Sequence, residues 1–545
     1  MEIKWDGEAF KSMKNLKVLI FKDVKCSTSP KYLPNSLKVL KWQRYPSSFL
    51  PLDFHPKKLV VLDIGHSYLR SLEIIKTSNN LGILNLRSCQ HITEIPDLSN
   101  LINLKELDLQ HCKNLIAIHN SIGYLAKLEI LDVTSCVRLK TFPCEIKLPS
   151  LKELGLNHCS RLKDFPEILE EVKIKELFLI ETGIEKLPWS IYYLTQLRDL
   201  WIRQHKVIEI PNSIFLLPEL ERIIVDNHGK VISAQDQQSI WSMQCPNRVN
   251  FCLPRCNISD ELLRSCLSRF TNMERLNLTG NNFTVLPSWI KECHFLRDIK
   301  LNECKFLRKV EGIPPYVRLV GAINCMSLSL ESKNLLLSED LLGAPSRHSS
   351  TNFFLREIYF CVPMASIPNW FGHRRKGGSV SFWFRNHFPP LCLCVLFKAT
   401  DGSLESNHSY SSMSASVYIN GEEVYYRNLW DRSTPNVEHV IVYNIKEDHI
   451  PDYKMERACR ENKWNHVNIE VDAFSRVDKA LIIEESGIYV IKQLSQKEDF
   501  RFTNPYERSV SPCGDQNCEI IEISYGAGGG DGDDVNPKCT NNDGN

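Results

Sequence analysis

Cysteine recurs at a nearly constant interval in this sequence, and regularly spaced thiols can bind metal ions or carry out redox chemistry. One thiol per interval at a fixed inward position is more simply explained by packing, because a small side chain there can hydrogen-bond the turning backbone. We therefore predict a structural column of cysteines. His205 and His228 fall in the same column, and we interpret them as turn residues rather than ligands. The column consists of Cys89, Cys112, Cys136, Cys159, Cys256, Cys304 and Cys325, with Asn281 at the equivalent place once.

Motifs of catalysis and cofactor binding are scarce. The chain has no GxxxxGK motif followed by Ser or Thr, the loop that cradles nucleotide phosphates. Cys392 and Cys394 are too close together for a useful zinc pair without further ligands nearby. No nucleophile elbow and no paired-carboxylate motif stands out. We expect no catalytic residue, metal, cofactor or bound nucleotide, and therefore a protein that acts by binding rather than as an enzyme.

The cysteines of the column belong to a recurring pattern, LxxLxL followed two residues later by Cys or Asn. It is clearest in LKELDLQHC, LEILDVTSC and LKELGLNHC, and most copies follow one another after 21 to 24 residues. That interval is typical of leucine-rich repeats. The copies, numbered repeats 1 to 14 below, begin at Leu16, Leu37, Leu59, Leu81, Leu104, Leu128, Leu151, Ile174, Leu197, Leu220, Arg248, Met273, Leu296 and Val317.

Apolar and variable residues alternate within each copy, which indicates a strand with one buried face. A single repeat cannot bury its own leucines, so the repeats must stack, and each buried Leu contributes roughly 1.5–3 kcal/mol before entropy is subtracted. Segments such as LPWSIYYLTQL place Pro before spaced apolar residues, which predicts short helical or irregular returns. The predicted fold class is an α/β leucine-rich-repeat solenoid over residues 1–328, a horseshoe with a concave strand surface.

The repeat pattern stops before residue 329, and we interpret residues 329–352 as a cap and linker. From 353 to 497, alternating and aromatic-rich runs between turn residues predict an all-β antiparallel sandwich. Residues 498–545 end in a stretch rich in Gly, Asp and Asn, and we expect a mostly disordered tail.

Two local features stand out within the predicted sandwich. Asn420 and Gly421 lie between two strand-like runs and predict a two-residue hairpin turn, whose central residues need positive φ. Four aromatic residues could form a platform that stacks on carbohydrate, but core packing is the more economical interpretation. They are Trp370, Phe371, Trp383 and Phe384.

Positive and negative side chains are balanced, with 66 Lys and Arg against 65 Asp and Glu. No overall field draws the protein to nucleic acid or to an anionic membrane, so charged recognition must be local. The opening MEIKWDGEAF lacks the apolar core of a secretory signal, and no uninterrupted apolar stretch approaches the length of a membrane span. We expect neither nucleic acid as a partner nor membrane insertion, and a location in the cytoplasm, with the nucleus as the alternative.

The opening repeats contain the segments AFKSMKNLKVLIF, YLPNSLKVLKW and LPLDFHPKKLVVLDIGHSYL. These segments resemble the first repeats of plant intracellular disease-resistance receptors, which join a Toll/interleukin-1-receptor-like domain, a nucleotide-binding domain and leucine-rich repeats. Residues 366–397, WNHVNIEV and EESGIYVIKQ are similar to the jelly-roll domain that follows the repeats in these receptors. The resemblance covers roughly residues 8–495 and implies the sensor half of such a receptor. No nucleotide-binding or NAD-cleaving residue carries over to this chain.

The fifth position of each repeat faces out of the predicted concave surface, and its chemistry changes along the stack. It is polar at Asp63, Asn85, Asp108 and Asp132 and then becomes apolar. Exposed Trp, Phe and Arg at the centre of a concavity are typical of interface hot spots, so we predict a partner-binding patch here. The alternative is that the C-terminal domain or other domains cover this patch. The predicted residues are Phe178, Ile180, Trp201, Arg203 and Ile224.

The resemblance, together with the predicted concave patch, implies a protein-recognition module of plant innate immunity. Its partner would be a pathogen effector or a guarded host protein, contacted by the concave repeat surface and the C-terminal domain together. The alternative function is that of a free-standing truncated relative, a non-signalling decoy or scaffold whose partner is a full-length receptor.

Overall fold

The structure is a computed structural model. It describes residues 2–3, 6–22, 25–26, 28–226, 229–232, 248–265, 267–339, 341, 357–399, 410–433, 435, 437–460, 463–475, 481–491 and 499–506. Met1–Thr503 form one compact unit. In the second unit, Asn504–Asn545, the described residues form a short turn in which Asn504 Oδ1 accepts the N–H of Tyr506 at 3.0 Å. The predicted tail from 507 onward lies outside the described residues, as does His228.

Fourteen short parallel strands line one side of the repeats, and each begins two residues after the start of its predicted repeat. The predicted leucine-rich-repeat solenoid is therefore confirmed. β1–β7 form one sheet, and β8–β14 belong to a second sheet of twelve strands. In chain order β1 to β14 are Val18–Phe21, Val39–Trp42, Val61–Asp63, Ile83–Asn85, Glu106–Asp108, Ile130–Asp132, Glu153–Gly155, Glu176–Ile180, Asp199–Arg203, Arg222–Asp226, Asn250–Cys252, Arg275–Asn277, Asp298–Lys300 and Leu319–Gly321.

The core follows from the leucine pattern. Leu107 and Leu109, at the fourth and sixth positions of repeat 5, are fully buried, and the equivalent residues of the other repeats join them in one continuous cluster. Because side chains alternate along a strand, the third and fifth positions then face the concave surface.

The outer side is less helical than the predicted α/β class implies, because a repeat of 21 to 24 residues leaves room for little more than one turn. One α-helix, α1 (Asp260–Ser265), lies within the repeats in the described part of the chain. The other helical returns are 3-10 turns at Glu73–Thr77, Asn120–Tyr124, Trp189–Tyr193, Asn212–Leu216, Leu267–Arg269 and Ser288–Glu292. Short parallel strand pairs complete the outer side: Glu2–Ile3 with Lys25–Cys26, Glu94–Ile95 with Ala117–Ile118, Glu145–Ile146 with Glu167–Ile168, Ile208–Pro211 with Gly229–Ile232, and Val285–Leu286 with Lys309–Val310.

In eleven of the repeats, the chain leaves the concave strand through one residue with left-handed backbone. The eighth position has a φ between 52° and 69° in eleven repeats, and ten of these residues are not glycine. The regular stacking imposes this conformation even on side chains that disfavour it. The residues are Arg44, His66, Ser88, His111, Ser135, His158, Glu181, Arg255, Gly280, Glu303 and Asn324.

The cysteine column has the predicted structural role. The Cys136 thiol donates to the carbonyl of Leu109 at 3.1 Å, and Cys159 donates to Val133 O at the same distance, so both thiols bond the sixth position of the preceding repeat. Cys256 instead donates to Pro254 O in its own repeat. Asn281 makes the equivalent bond to Leu253 O at 2.9 Å. Burial raises the pKa of the Cys159 thiol to about 12, and the reactive thiolate is therefore suppressed.

Repeat 9 departs from this column. Gln204, one residue before the predicted position, is buried, and its side-chain nitrogen donates to Ile184 O at 2.9 Å. The interpretation that placed His205 in the column is therefore wrong, since His205 is exposed.

Two antiparallel sheets follow the repeats, with β15 (Tyr359–Pro363) continuing the solenoid sheet by pairing in parallel with β14. Further strands are β16 to β24: His373–Lys376, Ser379–Phe384, Leu391–Ala399, Tyr410–Ile419, Glu422–Ser433, His439–Ile445, Asn465–Ser475, Leu481–Val490 and Phe500–Arg501. The first sheet ends in the order β15-β21-β18-β23-β16, and the second has the order β20-β19-β22-β17-β24. The 3-10 turn Glu447–His449 and α3 (Asp452–Ala458) connect β21 to β22. Apolar residues from both sheets share one core.

The predicted hairpin is confirmed, because Asn420 and Gly421 have φ values of 52° and 88° and join two paired strands. The predicted end of the sandwich at 497 is too early, since Phe500 pairs with Phe384. Phe371 and Phe384 are buried, as the packing interpretation predicts. Trp370 packs against Tyr489, and Trp383 lies against the His466 ring.

The last repeat is closed by α2 (Leu330–Leu336) and by the sandwich. Ser329 caps α2 by accepting the N–H of Ser332 at 3.2 Å. Trp370 Nε1 donates to Leu337 O at 2.9 Å, and the N–H of Asn324 donates to His439 Nε2 at 3.0 Å. The sandwich thus covers the open end of the solenoid core.

Candidate protein-binding surface

The five predicted site residues lie together on three neighbouring strands, β8, β9 and β10. Phe178 aligns with Trp201, which aligns with Ile224, and Ile180 aligns with Arg203. The two aromatic rings meet edge to face, with centroids 6.0 Å apart. Arg203 is exposed and the other four side chains are half-buried. We call these five residues the concave patch.

Ion pairs border the concave patch on both sides. At the N-terminal ends of the strands, Arg222 makes two hydrogen bonds to Asp199, which raise the pKa of the guanidinium. At the C-terminal ends, Arg203 Nε lies 3.1 Å from Asp226 Oδ2. The Arg203–Asp226 pair is exposed and contributes little stability, whereas Asp199 is buried. Both pairs fix side chains beside an apolar surface.

In repeats 5, 6 and 8 to 10, strand length differs with the residue at the fifth position. In repeats 5 and 6, Asp108 and Asp132 each accept the N–H two residues further on, at 2.9 and 2.8 Å. This bond withdraws the amide from the sheet, and both strands have three residues. Phe178, Trp201 and Ile224 cannot form it, and their strands have five residues. The apolar side chains of the concave patch therefore lie on longer strands than Asp108 and Asp132 do.

An opening that the sequence did not predict lies beside Phe178, between β7 and β8, where the two concave sheets separate. It forms a cavity of about 640 Å³ with Gly155, Lys173 and Lys175 among its lining residues. A side chain at Gly155 would meet the Asp132 carboxylate 2.2 Å from its Cβ. The signal in the sequence is Gly155, one of two glycines in the fifth-position column, the other being Gly321 in the last repeat.

The structure brings no metal-binding cluster together among the described residues. Cys392 and Cys394 are fully buried, and the burial of Cys394 raises its pKa well above the ordinary value. No helix in the described ranges is long and apolar enough to cross a membrane.

The stacked strands, buried leucines and cysteine column define a leucine-rich-repeat protein. Residues 147–335 match the family model described as "Disease resistance protein RPS4B-like, leucine-rich repeats". Disease resistance protein RML1A from Arabidopsis thaliana is 26% identical over 379 residues, which make up 69% of this chain and 33% of that protein. TMV resistance protein N from Nicotiana glutinosa is 27% identical over 57% of this chain and 32% of its own length.

Protein SUPPRESSOR OF npr1-1, CONSTITUTIVE 1 from Arabidopsis thaliana is 40% identical over 205 residues, 35% of this chain and 14% of that protein. The chain thus spans a third or less of the length of these relatives. The leucine-rich repeat domain of the type III effector XCV3220 (XopL) is 22% identical, with a TM-score of 0.29 over 41% of this chain and 72% of that chain. The sequence relatives and the family model confirm the resemblance: this chain is related to the leucine-rich-repeat region of plant disease-resistance proteins.

Proposed function

We propose that this chain is a protein-recognition module of plant innate immunity that binds a pathogen effector or a guarded host protein through the concave patch. It acts by binding in the cytoplasm or nucleus and carries out no reaction. The observation that carries the proposal is the in-register row of Phe178, Trp201 and Ile224 on a concave sheet. Disease-resistance relatives support the immune context.

Strand order supports a free concave patch. Trp201 lies on β9, and five strands, β10 to β14, separate it from the first strand of the sandwich. Trp, Tyr and Arg dominate binding energy when they sit at the centre of an interface surrounded by polar residues. Trp201 between the Arg222–Asp199 and Arg203–Asp226 pairs has this arrangement.

We infer further that the C-terminal sandwich is a jelly roll. Two facing sheets in the orders β21-β18-β23-β16 and β20-β19-β22-β17 support this interpretation, because a jelly roll consists of eight strands in two sheets. Continuity of its first sheet with the solenoid gives one surface on which repeats and sandwich contact a partner together.

Photo-crosslinking tests the proposal. Benzoylphenylalanine replaces Trp201 in one variant and Tyr124, an exposed aromatic residue on the outer 3-10 turn of repeat 5, in the control. Both variants are expressed in plant cells with and without pathogen challenge, and adducts are identified by mass spectrometry. We expect a discrete adduct with an effector or host protein at position 201 and none at 124.

A second variant, Trp201→Asp, is then compared with the wild type for binding to the purified adduct partner. Loss of a hot-spot side chain costs about 2 kcal/mol or more, so affinity should fall at least about thirtyfold. The same adducts at both positions, or unchanged affinity, would overturn the proposal. An adduct with a full-length disease-resistance receptor would instead support the decoy or scaffold function.

A further inference from the structure

A second charged surface lies where the last repeats meet the sandwich. Four arginines and two carboxylates line a cleft of about 240 Å³ there, which we call the junction cleft. Three of the arginines come from repeats 12 to 14, and the fourth comes from β20 in the second sheet of the sandwich. These residues are Arg275, Arg297, Arg318 and Arg427, with Asp298 and Glu357.

Positive charge exceeds negative charge in the junction cleft. Arg275 lies 3.4 Å from Asp298, and Arg427 lies 3.7 Å from Glu357, so each carboxylate already has a partner. Arg297 pairs with Glu274 at 3.2 Å. Arg318 forms no ion pair within the described part of the chain. Its backbone neighbours in the sheet are Arg297, whose carbonyl accepts the Arg318 N–H, and Tyr359, whose N–H donates to the Arg318 carbonyl. The junction cleft therefore contains one guanidinium without an ion-pair partner among the described residues, next to three guanidinium groups that each pair with one carboxylate.

Tyr443 holds the guanidinium of Arg427 in place. Arg427 Nη1 donates to the hydroxyl of buried Tyr443 at 2.9 Å, and its guanidinium lies 4.6 Å from the centroid of that ring. Tyr359 also lines the junction cleft. Its hydroxyl donates to Leu429 O at 3.0 Å and thereby joins β15 to β20. A preorganised guanidinium loses little freedom when it binds an anion.

We propose that the junction cleft binds an acidic peptide segment of a partner protein, with side-chain carboxylates bonded to Arg318 and Arg427. Guanidinium groups match carboxylates in two parallel hydrogen bonds. The cleft is smaller than the about 300–1,000 Å³ of pockets that enclose whole small ligands, so it suits side chains presented by a longer chain. Charge complementarity is local here, as the balanced composition of the protein requires.

This site is independent of the concave patch. Trp201 lies on β9 and Arg275 on β12, three strands away, which corresponds to about 14 Å across a sheet. Either surface can therefore bind while the other is altered, and the two proposals fail separately.

The test uses the full chain and a fluorescein-labelled peptide of alternating Glu and Gly, with a peptide of alternating Gln and Gly as the neutral probe. Fluorescence anisotropy at low salt gives the affinity of each. Arg318→Glu is the site variant, and Arg161→Glu, an exposed arginine of repeat 7, is the matched charge control. Both replaced side chains are exposed, and thermal melting of each variant checks that the fold is retained.

We expect the acidic peptide to bind and the neutral peptide not to bind. Arg318→Glu should weaken acidic-peptide binding about tenfold or more, while Arg161→Glu leaves it unchanged. Equal loss in the Arg318 and Arg161 variants, or equal binding of both peptides, would overturn the proposal. Displacement of the peptide by millimolar inorganic phosphate would also overturn it, since the cleft would then be a general anion site.

Discussion

A single side chain in each repeat determines whether the concave surface is polar or apolar. Where the fifth position is Asp108 or Asp132, the carboxylate accepts a backbone N–H and ends the strand. Where it is Trp201, the sheet continues for two more residues and presents an aromatic ring. In these repeats, a different residue at the fifth position accompanies a different strand length and a different surface chemistry.

The turn formed by Asp108 can be tested by changing the acceptor and the charge separately. Asp108→Ala removes the bond to the Gln110 N–H and should lower the free energy of unfolding by about 1 kcal/mol. Desolvation raises the pKa of Asp108, which means that burial disfavours its charge. Asp108→Asn keeps an acceptor without that charge, so its stability should equal or exceed that of the wild type. Urea unfolding of the three proteins measures this, and equal losses in both variants would contradict it.

At the scale of secondary-structure elements, the sequence predicted all fourteen concave strands, because buried leucines at fixed spacing mark each one. It did not predict the separation of β7 from β8, since strand pairing there depends on neighbouring repeats as well as on Gly155. The parallel pairing of β14 with β15 was also missed, because no local pattern records which strand lies beside the last repeat. For the same reason, Arg427 could not be placed beside Arg318 from sequence.

The contact between solenoid and sandwich should depend on pH through His439. This fully buried ring accepts from the Asn324 N–H through Nε2, and its Nδ1 lies 2.7 Å from Val437 O. The first bond requires the neutral ring, because a protonated Nε2 cannot accept, whereas Nδ1–H donates to Val437 O in either protonation state. Burial lowers the pKa of His439 to about 4, whereas an unfolded histidine has a pKa near 6.5. Stability from this group is therefore fully present above about pH 6.5 and is lost as the pH falls toward 4.

The expected loss from His439 between pH 7.5 and 4 is about 3 kcal/mol in the free energy of unfolding, from a pKa difference of about 2.5 units. Burial also lowers the pKa of His449 to about 4, so His449 adds a dependence of the same sign. His439→Gln keeps a neutral acceptor and should flatten the pH profile, whereas His449→Gln removes only the second contribution. Urea unfolding at several pH values distinguishes them. A profile of His439→Gln that matches the wild type would exclude this role.

At the scale of the whole molecule, the backbone sheet of the repeats is interrupted, whereas their apolar core is continuous. The backbone sheet separates between β7 and β8 but runs without interruption from β8 through β14 into the sandwich. The apolar core spans the separation, and the His158 N–H still donates to Ile180 O at 2.8 Å. Because repeat proteins gain stability from neighbouring contacts, the interface with the fewest backbone bonds should couple its two sides least.

Native-state hydrogen exchange can measure this coupling with two matched core variants. Leu107 in repeat 5 and Ile299 in repeat 13 are both fully buried at the fourth position, and truncation of either to Ala should cost about 2–5 kcal/mol. Weak coupling predicts that Leu107→Ala accelerates exchange in β1–β7 and leaves β9–β14 nearly unchanged. Ile299→Ala should accelerate exchange in β8–β14 and also in β21 of the sandwich, which reaches β14 through β15 in the same sheet. Uniform acceleration along the chain in both variants would mean that the shared core couples all repeats despite the separated sheets.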